Sequence, residues 1–292
     1  MKTQSADTRP EAERIQIELL RKATGARRFA LARSLSHTTI RLSRQAIRRA
    51  HAGADEASLQ RLCVALHYSQ SLADRLPQSQ VQKEGTMDAP ELVDALTPVV
   101  AALEQLGVAY HIGGSVASSF YGIPRSTLDI DLVADLRPEH VRPFVEQLQA
   151  RYYVDEDAVR EALRYRSSFN LLYLASMMKV DVFIPQVSAF DQQEFQRAHQ
   201  DRLEAAEDAR HFYLASAEDT ILRKLLWYKL GNMASDQQWK DVLGILKVQA
   251  DALDLAYLRQ WAGQLEISAL LARALVDAGL VDDTGSQHTD AG

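Results

Sequence analysis

Between Val108 and Leu132 the chain makes its strongest demand on any fold. A short apolar run, Val108–Ile112, stops at Gly113-Gly114-Ser115, and thirteen residues later comes Asp129-Ile130-Asp131-Leu132. The first run predicts a strand, the glycines a tight turn, and the residues through Tyr121 a helix. The first N–H groups of a helix are unpaired and sit at its positive end, so they suit phosphate oxygens. Glycine lets backbone approach a ligand closely, and Ser115 adds a hydroxyl at the same place. Leu128–Ala134 predicts a second strand, in which alternation puts Asp129 and Asp131 on one face. Two adjacent carboxylates repel each other and are costly to desolvate, a cost that a divalent cation removes. Magnesium takes one or two carboxylates together with waters and substrate phosphates. A third carboxylate, Asp181, lies in the apolar run Lys179-Val-Asp-Val-Phe-Ile-Pro185. If that strand pairs beside Leu128–Ala134, the three converge, and such a cluster can hold two cations.

Each feature alone has a plainer reading. Gly113-Gly114 is a common turn, Asp129-x-Asp131 could be two solvated edge residues, and Asp181 could be an edge charge paired with Lys179. In this order and spacing, the chemical reading is the stronger one.

The rest of the chain divides by pattern. Residues 1–76 read as a helical N-terminal domain, with a first helix from Glu11 carrying Ile15, Leu19 and Leu20. A second helix starts at Ser34 or Ser36, and a third carries Leu59 to Leu72. Residues 77–87 read as a linker. Residues 88–215 form the catalytic core, opening with a helix capped by Asp88 with Pro90 in its first turn. Its buried stripe runs Leu92, Leu96, Val99, Val100, Leu103 and Leu106. Pro138 opens a helix to about Ala150, and Tyr152–Asp155, Phe169–Leu174 and Met178–Ile184 read as strands. Residues 216–280 are a C-terminal helical region that starts at a capping box, Ser216-Ala-Glu-Asp219. Residues 281–292 have a disordered composition. The fold class expected is α/β (α+β), a mixed sheet with flanking helices, preceded by a small all-helical domain.

Here the pattern becomes specific. Gly-Gly-x-x-Ala-x-x-x-x-Gly-x-x-Arg-x-Thr-x-Asp-Ile-Asp-Leu, read from Gly113 to Leu132 and followed by a lone Asp on a later strand, resembles the polymerase-β-type nucleotidyltransferase superfamily. It is closer still to the AbiEii-like nucleotidyltransferases of bacterial toxin–antitoxin and abortive-infection systems. The resemblance covers roughly residues 90–250. It implies that Gly113, Gly114 and Ser115 bind a nucleoside triphosphate and that Asp129 and Asp131 ligate two Mg2+ ions. Asp181 would ligate the catalytic ion and help activate the acceptor. It also implies nucleotide-binding roles for Lys224 and Lys229. Ser235–Asp241 is similar to the family's Lys/Arg-x-x-Asp helix start. Arg125 either meets phosphate as a bidentate donor or pins its loop to Asp129. His111 reads as a packed strand residue, and Trp227, Tyr228 and Trp239 as core.

Other classes lose support. No apolar run reaches the ~18 residues a membrane span needs. The polar N-terminus does not read as a secretory signal. The single cysteine, Cys63, excludes an intramolecular disulfide and fits a reducing cytoplasm. No histidine pair has zinc-ligand spacing. Net charge is −6. Residues 1–86 carry about +7 and the remainder about −13. Arg41, Arg44, Arg48 and Arg49 form a basic helix face, either an RNA contact or, the reading preferred, a solvated face or one docked on the acidic body. The expected activity is transfer of a nucleoside monophosphate to a hydroxyl of RNA (a tRNA 3′-end above all) or of a protein side chain. A rival reading, motivated by the charge asymmetry, makes residues 1–76 a fused, antitoxin-like autoinhibitory module that restrains the catalytic unit; a separate antitoxin partner is the other option. The alternative is a non-catalytic nucleotide-sensing or partner-binding protein on the same fold.

Overall fold

Local sequence signals set most of the element boundaries. The computed structural model describes residues 3, 8–76 and 92–281. The expected linker, the Asp88–Pro90 helix start and residues 282–292 of the expected tail lie outside the described residues. The N-terminal elements are α1 (Pro10–Lys22), α2 (Gly25–Ala50), α3 (Glu56–His67), α4 (Gln70–Arg75) and α5 (Leu92–Gln105). Next come β1 (Tyr110–Ile112), α6 (Gly114–Tyr121), β2 (Asp129–Ala134), α7 (Val141–Leu148), β3 (Tyr152–Tyr153), α8 (Glu156–Tyr165), β4 (Ser168–Tyr173) and β5 (Met178–Phe183). The chain closes with α9 (Ala189–Arg197), β6 (His199–Arg202), β7 (His211–Leu214), α10 (Ala217–Leu230), α11 (Asp236–Gln249), α12 (Leu255–Gln264) and α13 (Ser268–Ala278). The protein is α+β with a mixed sheet.

Side-chain caps explain many of these starts. Asp55, Ser69, Asp155, Ser188, Ser216, Ser235 and Asp254 each accept a backbone N–H in the first turn of the helix that follows. Two expectations are corrected. The second helix starts at Gly25, not at Ser34 or Ser36. Ser36 instead lies inside it with its hydroxyl donating to Ala32 O at 2.9 Å, a back-bond that a helix interior tolerates. The third helix does not reach Leu72; it ends at His67, and Ser69 caps a separate short helix. The helix expected from Pro138 opens as a 3-10 turn, Pro138–His140, before α7.

Packing groups the chain into two units: residues 1–31, 113–124 and 188–292, and residues 32–112 and 125–187. The linear division at 76/88 and 215/216 follows a different line, because α1, α6 and the C-terminal helices share one core.

In the second unit five strands take the order β3-β4-β5-β2-β1. β2 and β5 are parallel, and the other pairs are antiparallel. Helix α5 packs on β2 and β5, α7 on α5, and α8 on α7 and β4. The stripe Leu92, Leu96, Val99, Val100 and Leu103 is buried as expected. Val64, Leu72, Ala73 and Leu76 of the α3–α4 segment form a smaller core with Leu172 and Met177. Nearby, Ser43 Oγ lies 2.7 Å from His67 Nε2.

The first unit is built on helices, with the β6–β7 ladder beside them in sequence. α6 packs against α10 and α11, and α1 against α11. Buried Arg28 donates to the carbonyls of Phe120, Leu20 and Ala23 at 2.7, 2.8 and 2.6 Å. It thereby satisfies orphan acceptors at the ends of α1 and α6. Glu13 and Lys247 form an ion pair at 2.8 Å with both side chains 1% exposed. Among the described residues no helix is long and apolar enough to cross a membrane.

Glu13→Ala leaves Lys247 charged and buried, so it should lower the unfolding free energy by about 3–5 kcal/mol. Glu13→Leu combined with Lys247→Met should recover most of that loss in a denaturant titration. A second expectation concerns pH. Burial, with Arg44 adding to it, pushes the His67 imidazole below its ordinary value. The unfolded chain therefore takes up the proton first, and stability is lost as pH falls through about 6.5 toward the lowered folded value. His67→Gln should flatten that slope in melts run from pH 8 to pH 5, values set on the scale of the ordinary imidazole, about 6.5.

Candidate functional site

The parallel pairing of β2 with β5 decides where the carboxylates stand. Its register sets Asp131 opposite Asp181 and Asp129 opposite Lys179. Side chains alternate along a strand, so all four share one face. β5 lies between β4 and β2, so Asp181 is not an edge residue. Its side chain is buried, with the residue 9% exposed. One carboxylate oxygen, Oδ2, accepts from Lys179 Nζ at 2.6 Å, while Oδ1 is buried with no hydrogen-bond partner. Burial pushes the Asp181 carboxyl up from its ordinary range, Lys179 pulls it back, and Asp129 adds to the rise. The Lys179 ammonium also lies 3.9 Å from Asp129 Oδ2.

The carboxylates are neighbours by register but are not drawn together around a common point. Among the described residues no group of three His, Cys, Asp or Glu side chains is gathered as a metal-binding set. The residue types still fit a divalent cation. Every candidate donor is a carboxylate oxygen, and one of them, Asp181 Oδ1, is buried and unbonded.

Three residues that support this face were not given a place in the site from the sequence. Thr127 donates to Asp129 Oδ1 at 3.0 Å or to Asp129 O at 3.1 Å. The Thr127 N–H is itself held by Ser36 Oγ of α2 at 2.9 Å. Tyr68, just after α3, bonds the starts of both strands. Its hydroxyl lies 2.9 Å from Leu128 O and 3.1 Å from Met177 O, and accepts from Lys179 N at 3.2 Å. The Lys179 ammonium lies 5.4 Å from the centre of the Tyr68 ring. Thr127 belongs to the Arg-x-Thr-x-Asp pattern and was legible there. Tyr68 gave no local signal, because it acts from 60 residues away.

The expected phosphate-binding turn is in the first unit. Gly113 precedes α6, and its carbonyl accepts Ala117 N at 3.1 Å. A side chain added at Gly113 would meet nothing within 4 Å, so packing does not require glycine there. Gly114 does need to be glycine, because its φ is +53°. Ser115 is buried at 3% exposure. Two other positions of the pattern serve packing. Ala117 is fully buried, and a Cβ at Gly122 would come within 2.9 Å of the backbone of Gly244 and Ile245.

The basic candidates differ. Arg125 Nη1 donates to Ser126 O at 3.0 Å. Lys224 is buried in the first unit, its ammonium donating to Asp241 Oδ2 at 2.7 Å and to Gln238 Oε1 at 3.0 Å. Lys229 is exposed and lies 3.5 Å from Glu266 Oε2. In the N-terminal basic face, Arg44 is buried and donates to Ser176 O, and Arg48 pairs with Glu56 at 3.1 Å. Arg41 and Arg49 stay exposed. His111 is buried, as expected of a packed strand residue. Tyr228 is buried too, but Trp227 is 48% exposed, which corrects its reading as core. Trp239 packs on Tyr228 with ring centres 5.2 Å apart.

Residues 21–79 match the family model described as Rv0078B-related antitoxin. No curated protein sequence matches the chain. Solved structures that resemble it include an antigenic nucleotidyltransferase-like protein from Paracoccidioides brasiliensis, 17% identical, covering 62% of this chain and 90% of that one at a TM-score of 0.38. Another is the antibiotic-resistance factor ANT(2'')-Ia in solution, 16% identical, covering 62% of this chain and 95% of that one at a TM-score of 0.40. The same factor in a crystal complex with adenylyl-2''-tobramycin is 14% identical, covering 62% of this chain and 97% of that one at a TM-score of 0.38.

Gly114→Ala puts a Cβ at positive φ and should cost about 1–2 kcal/mol. Gly113→Ala, with open space for the Cβ and a negative φ, should cost less than Gly114→Ala in the same thermal melts.

Proposed function

We propose that the protein is a metal-dependent nucleotidyltransferase of the AbiEii-like kind, moving a nucleoside monophosphate from a nucleoside triphosphate to an acceptor hydroxyl. One observation carries this reading: the register that stands Asp131 against Asp181 on adjacent parallel strands, with Asp129 on the same face and Asp181 Oδ1 buried without a partner. Carboxylates packed this way repel each other, and a sheet kept for stability alone would gain from apolar residues there.

Asp129, Asp131 and Asp181 would hold Mg2+. When bound, the cations offset charge that develops on the triphosphate as it reacts. The chain's own residues do the rest. Thr127 orients Asp129, and Tyr68 ties the starts of β2 and β5. The acceptor oxygen forms a bond to the α-phosphorus, the α–β bridging bond breaks, and pyrophosphate leaves. The acceptor proton passes toward Asp181, whose carboxyl burial pushes up from its ordinary range. Gly113–Ser115, at the start of α6, are the proposed triphosphate contacts. Lys224 is a poorer candidate for nucleotide binding than its sequence position implies, since its charge is engaged by Asp241.

The match of residues 21–79 to an antitoxin family supports a toxin–antitoxin setting, with the restraining segment carried in the same chain. The buried docking of Arg44 weakens the RNA reading of the N-terminal basic face and leaves tRNA and protein hydroxyls as equal acceptor candidates.

The test is label transfer from each α-³²P nucleoside triphosphate, with magnesium, into total tRNA and into lysate protein. Label should enter one acceptor class. It should fall by at least about 100-fold in Asp131→Asn and in Asp181→Asn, since even outer partners of metal ligands cost 10–100-fold when lost. Equal labelling by Asp181→Asn would remove the proposal. A parallel melt should show Mg2+ raising the unfolding temperature of the parent chain and leaving that of Asp181→Asn unmoved.

A further inference from the structure

The cation already present on the carboxylate face belongs to the protein. Lys179 is the residue before the residue before Asp181 on β5, and register places it opposite Asp129. Its ammonium is 2.6 Å from Asp181 Oδ2 and 3.9 Å from Asp129 Oδ2, with 17% of its side chain exposed. It bridges two of the three carboxylates that the proposed reaction needs. A lysine is long enough to point away into solvent, and this one does not, because Tyr68 lies under it. The Tyr68 ring faces the ammonium at 5.4 Å, and the Tyr68 hydroxyl accepts the Lys179 backbone N–H at 3.2 Å. Tyr68 is fixed in turn by the carbonyls of Leu128 and Met177. It falls within the 21–79 segment that matches an antitoxin family.

We propose that Lys179, steadied by Tyr68, is a built-in counter-ion that a divalent cation must displace from Asp181 and Asp129, so that the α3–α4 segment sets the metal affinity of the site. The inference rests on the metal-site reading above. Its physical basis is competition for the same lone pairs. While the ammonium occupies Asp181 Oδ2, a cation must do without that oxygen or expel the lysine into solvent. The tyrosine ring and hydroxyl oppose that expulsion. The arrangement removes like-charge repulsion while no metal is bound, and it raises the metal concentration at which the site fills. Lys179 is in this sense a positioning residue.

The test uses the full chain and Mn2+ alone, with affinity read by titration calorimetry and by the loss of the free-Mn2+ electron paramagnetic resonance signal. Lys179→Met keeps length and packing and removes the charge. It should bind Mn2+ at least about tenfold more tightly, as expected for removing a cation held close to two ligands. Lys179→Arg, which keeps the charge, should stay near the parent value. Tyr68→Leu, which frees the ammonium, should shift affinity in the same direction as Lys179→Met by a smaller factor. Binding by Lys179→Met that is unchanged or weaker, while the parent binds, would overturn the counter-ion proposal and leave the metal site standing. No Mn2+ binding by the parent or by Lys179→Met would overturn both. Circular dichroism of each variant separates these outcomes from misfolding, and any variant that fails to fold is replaced by Lys179→Gln, read on the same scale.

Discussion

The parallel ladder between β2 and β5 is the constraint on which the site depends. Two parallel strands cannot be joined by a hairpin, so the chain must leave β2 and return in the same direction. It does so through α7, β3, α8 and β4; β3 and β4 extend the sheet, and α8 packs on β4. Slipping the ladder by one residue would turn Asp181 to the opposite face and bring Val180 or Val182 against the carboxylates of β2. The apolar residues Ile130, Leu132, Val180 and Val182, all fully buried, hold that register. The placing of the carboxylates on one face is therefore secured by packing on the other.

The same logic explains what could be read from the sequence. Strands β1, β2, β4 and β5 were legible from their apolar runs and α10 from its Ser216 cap, while α11, α12 and α13 were read only as one helical stretch. β6, with the sequence His199-Gln-Asp-Arg202, has no apolar residue to announce a strand, and its ladder to β7 is a tertiary effect. The start of α2 was misplaced because Ser34 and Ser36 look like caps, whereas the true start is a glycine, Gly25, whose Cβ would lie 2.2 Å from the Phe120 ring. The three aspartates were legible as a motif. Their cationic neighbour was legible only as an alternative partner for Asp181, because the distance that gives Lys179 its weight is set by a tyrosine on a remote segment.

Motif positions also divide by role. Asp129 and Asp131 stand on the carboxylate face, and Thr127 holds the first of them. Gly122 is small because the backbone of a neighbouring helix occupies the space that a side chain would need, and Ala117 is fully buried. A family pattern is thus partly a description of chemistry and partly a description of how closely two backbones pass. Lys224, to which the resemblance gives a nucleotide-binding role, forms a buried ion pair with Asp241.

The pairing of Glu13 with Lys247 has a consequence in time. The two residues are 234 positions apart. At a synthesis rate of about 5–20 residues per second, Glu13 waits roughly 10–50 s for its partner to be made. The first unit cannot close its core until almost the whole chain has been translated, whereas residues 32–187 can assemble earlier. The segment that carries Tyr68 therefore leaves the ribosome before the strand that carries Lys179 and Asp181.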